Sequence, residues 1–126
     1  MHASAKWRIA STIRRTVATA TLGSVSPAQW INFKFLTMEF YYVYILQSEK
    51  DEKLYKGYTK NLKLRFERHQ KGKVPATKYR RPLKLIYFEA CLDESDAIRR
   101  EKYLKTYYGS MFIKKRLQNY FTNLKS

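Results

Sequence analysis

The chain predicts a small α/β domain, with segments in the order β-β-α-β-α-α and a sheet that is mixed or antiparallel. Three observations predict it. Residues 40–47 read F-Y-Y-V-Y-I-L-Q, a run of aromatic and β-branched residues expected of a strand covered on both faces. Leu62, Arg65, Phe66 and His69 follow at i, i+3, i+4, i+7 spacing, which brings them onto one helix face. After a third strand-like run at 83–90, Asp93 with Glu94 and Asp96 reads as the cap and first turn of another helix.

The remaining elements fit between these. Residues 48–53 form a charged turn, and Leu54–Thr59 is the other arm of a hairpin. Asn61 or Thr59 caps the first helix, and Gly72 stops it. Residues 71–81 form a basic loop with no acid between Glu67 and Glu89, closed by Pro82. The second helix is expected to run to about Tyr107 with Ala97, Ile98, Glu101 and Leu104 inward. Gly109 is expected to break it. Residues 111–124 then form a last helix with Ile113, Leu117, Phe121 and Leu124 as its buried edge.

Composition bounds the partners more than the fold. At 126 residues the chain is most simply one domain, and 26 Lys+Arg against 10 Asp+Glu give a net charge of +16, an excess that attracts polyanions. With 11 Tyr, 7 Phe and 2 Trp, phosphate contacts can be joined by base stacking. A single cysteine, Cys91, excludes an intrachain disulfide and fits a reducing compartment, the cytoplasm. One cysteine with one internal histidine does not make the usual zinc set, while carboxylate-bound magnesium stays open. Four glycines draw neither a P-loop nor a dinucleotide fingerprint. No apolar run approaches a membrane span.

Charge also marks a boundary at Met38. Residues 1–37 hold five bases and no acid, leaving 21 bases against all 10 acids in residues 38–126, a domain charge of +11. This basic leader reads as an organelle transit peptide, as a disordered phosphate-binding arm, or as residues upstream of a true start at Met38. The last is favoured, because Met38 directly precedes the first strand.

The chemistry lies downstream. Glu101 falls four residues after Ala97 and three before Leu104, so an acid faces the core side of its helix. There it must be solvated, bound to a cation, or paired with Arg65 or Lys105. Arg65 offers a planar fork for phosphate oxygens and His69, one turn on, can pass a proton. Tyr44 and Tyr55 lie eleven residues apart on the two hairpin strands, and Gly57 on the face of Tyr55 leaves space for a ligand or another backbone. A phenol needs nearby positive charge to act as a base. Each of these residues alone is explained by packing; together they form the raw material of a phosphodiester-cleaving site. Lys56, Lys60, Lys73, Lys78, Arg80 and Arg81 are the candidates for contact with a phosphate backbone.

These residues resemble the GIY-YIG nuclease superfamily, in its small single-domain bacterial branch. Its two signatures fall on Tyr42-Val43-Tyr44 and Tyr55-Lys56-Gly57, its helix motif on Arg65 and His69, and its late glutamate on Glu101. Tyr42 stands where the name-giving glycine would be, and Lys56 where isoleucine would. Many members place an asparagine after the glutamate; here Lys105 and Tyr108 occupy that stretch. The resemblance implies a three-stranded antiparallel sheet flanked by helices and a divalent-metal-dependent DNA endonuclease. In that scheme Tyr44 helps activate the attacking water beside Tyr55, Arg65 stabilises charge on the phosphate, and His69 assists proton transfer. Glu101 holds one Mg²⁺ or Mn²⁺. The expected protein is a monomer acting on DNA, with RNA left open, in repair or recombination. A non-catalytic nucleic-acid-binding module of the same fold is the alternative.

Overall fold

Strand β1 (Tyr41–Ser48) pairs antiparallel with β2 (Leu54–Thr59) on one side and β3 (Leu83–Cys91) on the other, in the order β2-β1-β3. The computed structural model describes residues 26–125. Tyr42 to Ser48 are all buried, which is why this run carries no polar alternation until its end: a central strand has no wet face. Antiparallel pairing settles the choice that periodicity left open.

The two faces of β1 feed two cores, because successive side chains point to opposite sides. Tyr42, Tyr44 and Leu46 pack with Leu62, Leu83 and Phe66, beneath helix α2 (Leu62–Gln70). Val43 and Ile45 pack with Ala97, Leu104 and Ile113, beneath α3 (Glu94–Leu104) and α4 (Tyr107–Arg116). The β1–β3 register shifts between Ile45 and Leu46. That irregularity lets the consecutive residues Ile86 and Tyr87 both pack on the second core.

Capping decides where the helices begin. The Asn61 side chain accepts from the Leu64 amide at 3.0 Å, so Asn61 rather than Thr59 starts α2. Asp93 accepts from the Ser95 amide at 2.8 Å and starts α3, as expected. The C-terminal half departs from expectation. α3 ends at Leu104, and the single last helix is two, α4 and α5 (Gln118–Leu124). Thr106 is the reason for the first change: its hydroxyl accepts from the Gly109 amide at 3.1 Å and opens a new helix. Gly109 therefore does not break a helix but lies in the first turn of one. A Cβ there would stand 2.0 Å from the Tyr103 carbonyl oxygen and 2.5 Å from Leu104 Cα, so its missing side chain lets α4 start against the end of α3. Leu117, outside the helical region, separates α4 from α5. Ile113, Leu117 and Phe121 still pack on the second core, but Leu124 is exposed.

Part of the leader is helical: α1 spans Pro27–Thr37. Ser26 and Gln29 cap it reciprocally, with Gln29 N–H donating to Ser26 Oγ at 3.2 Å and Ser26 N–H to Gln29 Oε1 at 2.9 Å. The helix buries none of its residues. Residues 1–25, to which most of the leader readings refer, lie outside the described residues. Among the described residues no helix is long and apolar enough to cross a membrane.

Candidate active site

The hairpin register builds one side of the site. Tyr44 pairs with Gly57, and Tyr55 with Leu46, so the two tyrosines share the sheet face that α2 covers. Gly57 leaves space, as expected, but the tyrosine itself fills it. A Cβ on Gly57 would stand 2.7 Å from the Tyr44 hydroxyl oxygen and 2.9 Å from its Cζ. The Tyr44 ring thus lies across β2 toward α2, where the stripe of Arg65 and His69 meets it.

The hydroxyl of Tyr44 is the hub. Arg65 Nε donates to it at 3.2 Å, and His69 Nε2 lies 2.9 Å away. His69 Nδ1 in turn meets Thr77 Oγ1 at 2.7 Å, so both ring nitrogens have a hydroxyl partner. The Tyr55 ring packs against His69 at a centroid distance of 5.0 Å and against Tyr44 at 6.3 Å. Tyr44, His69 and Thr77 are fully buried, while Tyr55 and Arg65 are half-buried and form the outer edge of the group.

Burial sets the protonation states. It pushes Tyr44 up to about 12, against the lowering effect of the Arg65 hydrogen bond. The expected help from Arg65 is present but outweighed, and Tyr44 is a phenol at neutral pH. Burial, reinforced by the Arg65 charge, pushes His69 down to about 4. A neutral imidazole thus faces a protonated phenol. The bond to Tyr44 holds Arg65 firmly in its charged form.

Glu101 belongs to another layer. Its helix packs Ala97 and Leu104 on the opposite face of β1 from Tyr44. Its carboxylate, 15% exposed, accepts from Lys105 Nζ at 2.9 Å, and among the described residues it bonds to none of Tyr44, Tyr55, Arg65 or His69. Lys105, rather than Arg65, is thus its partner. Among the described residues no group of three or more His, Cys, Asp or Glu gathers to cage a metal ion. A single accessible carboxylate suits Mg²⁺ or Mn²⁺, which keep several waters and take substrate phosphates as further ligands. Lys105 is more than half exposed and attached through a flexible stem, so it can yield the carboxylate.

The basic candidates separate into distinct environments. Lys56 Nζ donates to Ser110 Oγ at 2.9 Å on the α4 side, and Lys60 lies over the Tyr41 ring. Lys73, Lys78 and Arg81 are exposed on the loop. Arg80 turns inward instead: its side chain is 25% exposed and pairs with Asp51 at 3.5 Å. That pair tethers the loop to the β1–β2 turn.

Two residues in the polar framework escape sequence reasoning. Thr77 falls within the basic loop of residues 71–81, yet it is the fully buried partner of His69. Ser48 reads as part of a charged turn, yet it ends β1, buried, and donates to the Arg80 carbonyl at 2.7 Å. No periodicity marks either one, because each acts by folding a loop back on the sheet.

Comparisons with known proteins agree with this arrangement. A family model described as the GIY-YIG catalytic domain matches residues 40–116. A UPF0213 protein of Staphylococcus haemolyticus is 45% identical over 78 residues, covering 61% of this chain and 94% of its own length. A UPF0213 protein of Staphylococcus aureus is 41% identical over 71 residues, covering 56% of this chain and 85% of its own. No solved structure matches. With more than half the chain matched, and with the signature residues Tyr44, Tyr55, Arg65 and His69 meeting around one hydroxyl, this chain belongs to the GIY-YIG catalytic domain family of nucleases.

Proposed function

We propose that the chain is a metal-dependent endonuclease that hydrolyses phosphodiester bonds in DNA, structure-specific or weakly specific, in repair or recombination. The observation that carries this reading is the pairing of a buried neutral His69 with the protonated Tyr44, under the permanent charge of Arg65. The attacking water gives its proton to the Tyr44 oxygen as Tyr44 passes its own to His69 Nε2, with Tyr55 beside it and the Nδ1–H held on Thr77. An imidazole pushed down to about 4 is a weak base, so this transfer is concerted with attack. The remaining N–H groups of the Arg65 fork stabilise the charge that develops on the phosphate oxygens. Glu101 would hold Mg²⁺ or Mn²⁺, which supplies Lewis-acid polarisation of the phosphate and stabilisation of the leaving oxygen.

The test is incubation of the purified chain with nicked, branched and supercoiled DNA in Mg²⁺, Mn²⁺ or EDTA. Metal-dependent cuts are expected, lost in Glu101→Ala and reduced at least about a hundredfold in Tyr44→Phe and Arg65→Ala. Arg65→Ala is expected to lower cleavage far more than the melting temperature. Salt-sensitive binding without cuts would instead leave a nucleic-acid-binding module.

A further inference from the structure

Where the β1–β2 turn meets the loop after α2, a concavity is lined by Lys50, Gln70, Lys78, Tyr79, Arg81 and Pro82. None of its three cations pairs with a carboxylate among the described residues. Arg81 is held in place from three directions. Its Nε donates to the Lys78 carbonyl at 2.9 Å and its Nη1 to the Gln70 carbonyl at 3.3 Å. Its guanidinium also rests against Gly72, at φ 74°, where a Cβ would stand 2.9 Å from Arg81 Cζ. Lys50 Nζ donates to the Tyr79 carbonyl at 3.3 Å. Lys78 Nζ sits 5.4 Å from the centroid of the Tyr79 ring, and Tyr79 is 77% exposed.

The frame behind these side chains is tightly bonded. Ser48 Oγ donates to the Arg80 carbonyl and accepts from the amides of Lys50 and Asp51, both at 3.1 Å. Glu49 N–H donates to the Pro82 carbonyl at 2.8 Å. The Gln70 side chain clamps the start of β3, donating to the Leu83 carbonyl at 2.9 Å and accepting from its amide at 3.1 Å. Like charges gathered on such a frame repel one another, and an anion relieves the repulsion. A pre-organised arginine fork suits phosphate, and an exposed ring beside it suits a base face.

We propose that this concavity binds one nucleotide of the substrate strand, its phosphate on Arg81, Lys50 and Lys78 and its base on the Tyr79 ring. The proposal rests on the nuclease reading of the adjoining site, with which it shares the neighbouring pairs His69–Gln70 and Thr77–Lys78. It goes beyond a general basic surface by excluding Arg80, which is tied to Asp51, and by adding Lys50 and Tyr79.

The test is fluorescence anisotropy of a labelled single-stranded oligonucleotide titrated with the full chain in EDTA, where binding is read without cleavage. Arg81→Ala, Lys50→Ala and Tyr79→Ala are each expected to raise Kd about tenfold. The two cation variants also lower the slope of log Kd against log salt by about one. Tyr79→Phe keeps the wild-type Kd, because the ring and not the hydroxyl makes the contact. Adenosine monophosphate is expected to compete at concentrations where inorganic phosphate does not; equal competition overturns nucleotide recognition. Lys50 is exposed, so Lys50→Ala keeps the fold, as circular dichroism checks. Unchanged affinity in all three alanine variants of a chain that binds and cuts DNA overturns the pocket alone. Weakened binding in the variants of a chain that cuts nothing supports the pocket and overturns the nuclease reading. A wild-type chain that does not bind the oligonucleotide overturns the pocket proposal.

Discussion

His69 couples the site to the stability of the fold. Its imidazole is fully buried and pushed down to about 4, against an ordinary 6.5 in the unfolded chain. A histidine whose folded value lies below its unfolded one contributes stability above the unfolded value. That stability is lost as pH falls through the window from 6.5 toward 4. Roughly 2 kcal/mol is expected to disappear by about pH 5. Denaturant unfolding at about pH 7.5 and about pH 5 should show this drop in the wild type and its absence in His69→Gln. An equal drop in both chains would refute the assignment. The stripe of Arg65 and His69 was legible in sequence because helical spacing alone puts both on the face of Leu62 and Phe66. Which nitrogen meets which partner was not, since Tyr44 is 25 and Thr77 8 residues from His69 in the chain. Only the folded loop brings Thr77 in.

Local capping signals predicted the helix starts at Asn61 and Asp93, but the equally capped starts at Ser26 and Thr106 were not expected. The failure at 105–117 has a physical cause. A glycine read from sequence suggests backbone freedom, but Gly109 serves close packing, and that requirement comes from Tyr103 and Leu104 of another helix. The two readings differ in sign. If Gly109 were only a weak helix former, Gly109→Ala would stabilise the protein by up to about 1 kcal/mol. Because the added methyl group meets backbone atoms that do not move without displacing α3, a loss of about 3 kcal/mol is expected. A thermal melt decides, with Tyr108→Ala as the exposed control, expected within about 0.5 kcal/mol of wild type. A more stable Gly109→Ala protein would contradict the packing role.

At the scale of the molecule, both cores are assembled from residues after Met38, and α1 buries no residue. We propose that residues 38–126 are the folding unit. A chain beginning at Met38 is expected to keep its fold, with unfolding free energy within about 1 kcal/mol of the full chain. Loss of solubility or of the cooperative transition would show that the leader is needed. The net charge of +16 pointed toward a polyanionic partner without any structure, because long-range attraction depends on total charge and little on arrangement. Charge did not reveal which cations are available to a ligand. Arg80 and Arg81 are adjacent in sequence, yet one is turned in to Asp51 and the other is fixed on Gly72 beside an exposed tyrosine. By itself the sequence determined the three strands, the helices that follow Asn61 and Asp93 and the buried central strand, since these depend on periodicity, capping and composition within short windows; the signature residues came from the family resemblance. Tertiary structure alone decided that Tyr44 fills the space beside Gly57 and remains a phenol, that Thr77 holds His69, and that Glu101 is carried on the other face of the sheet. Each of these depends on how much water and which neighbour a side chain meets, and that is set when distant segments pack.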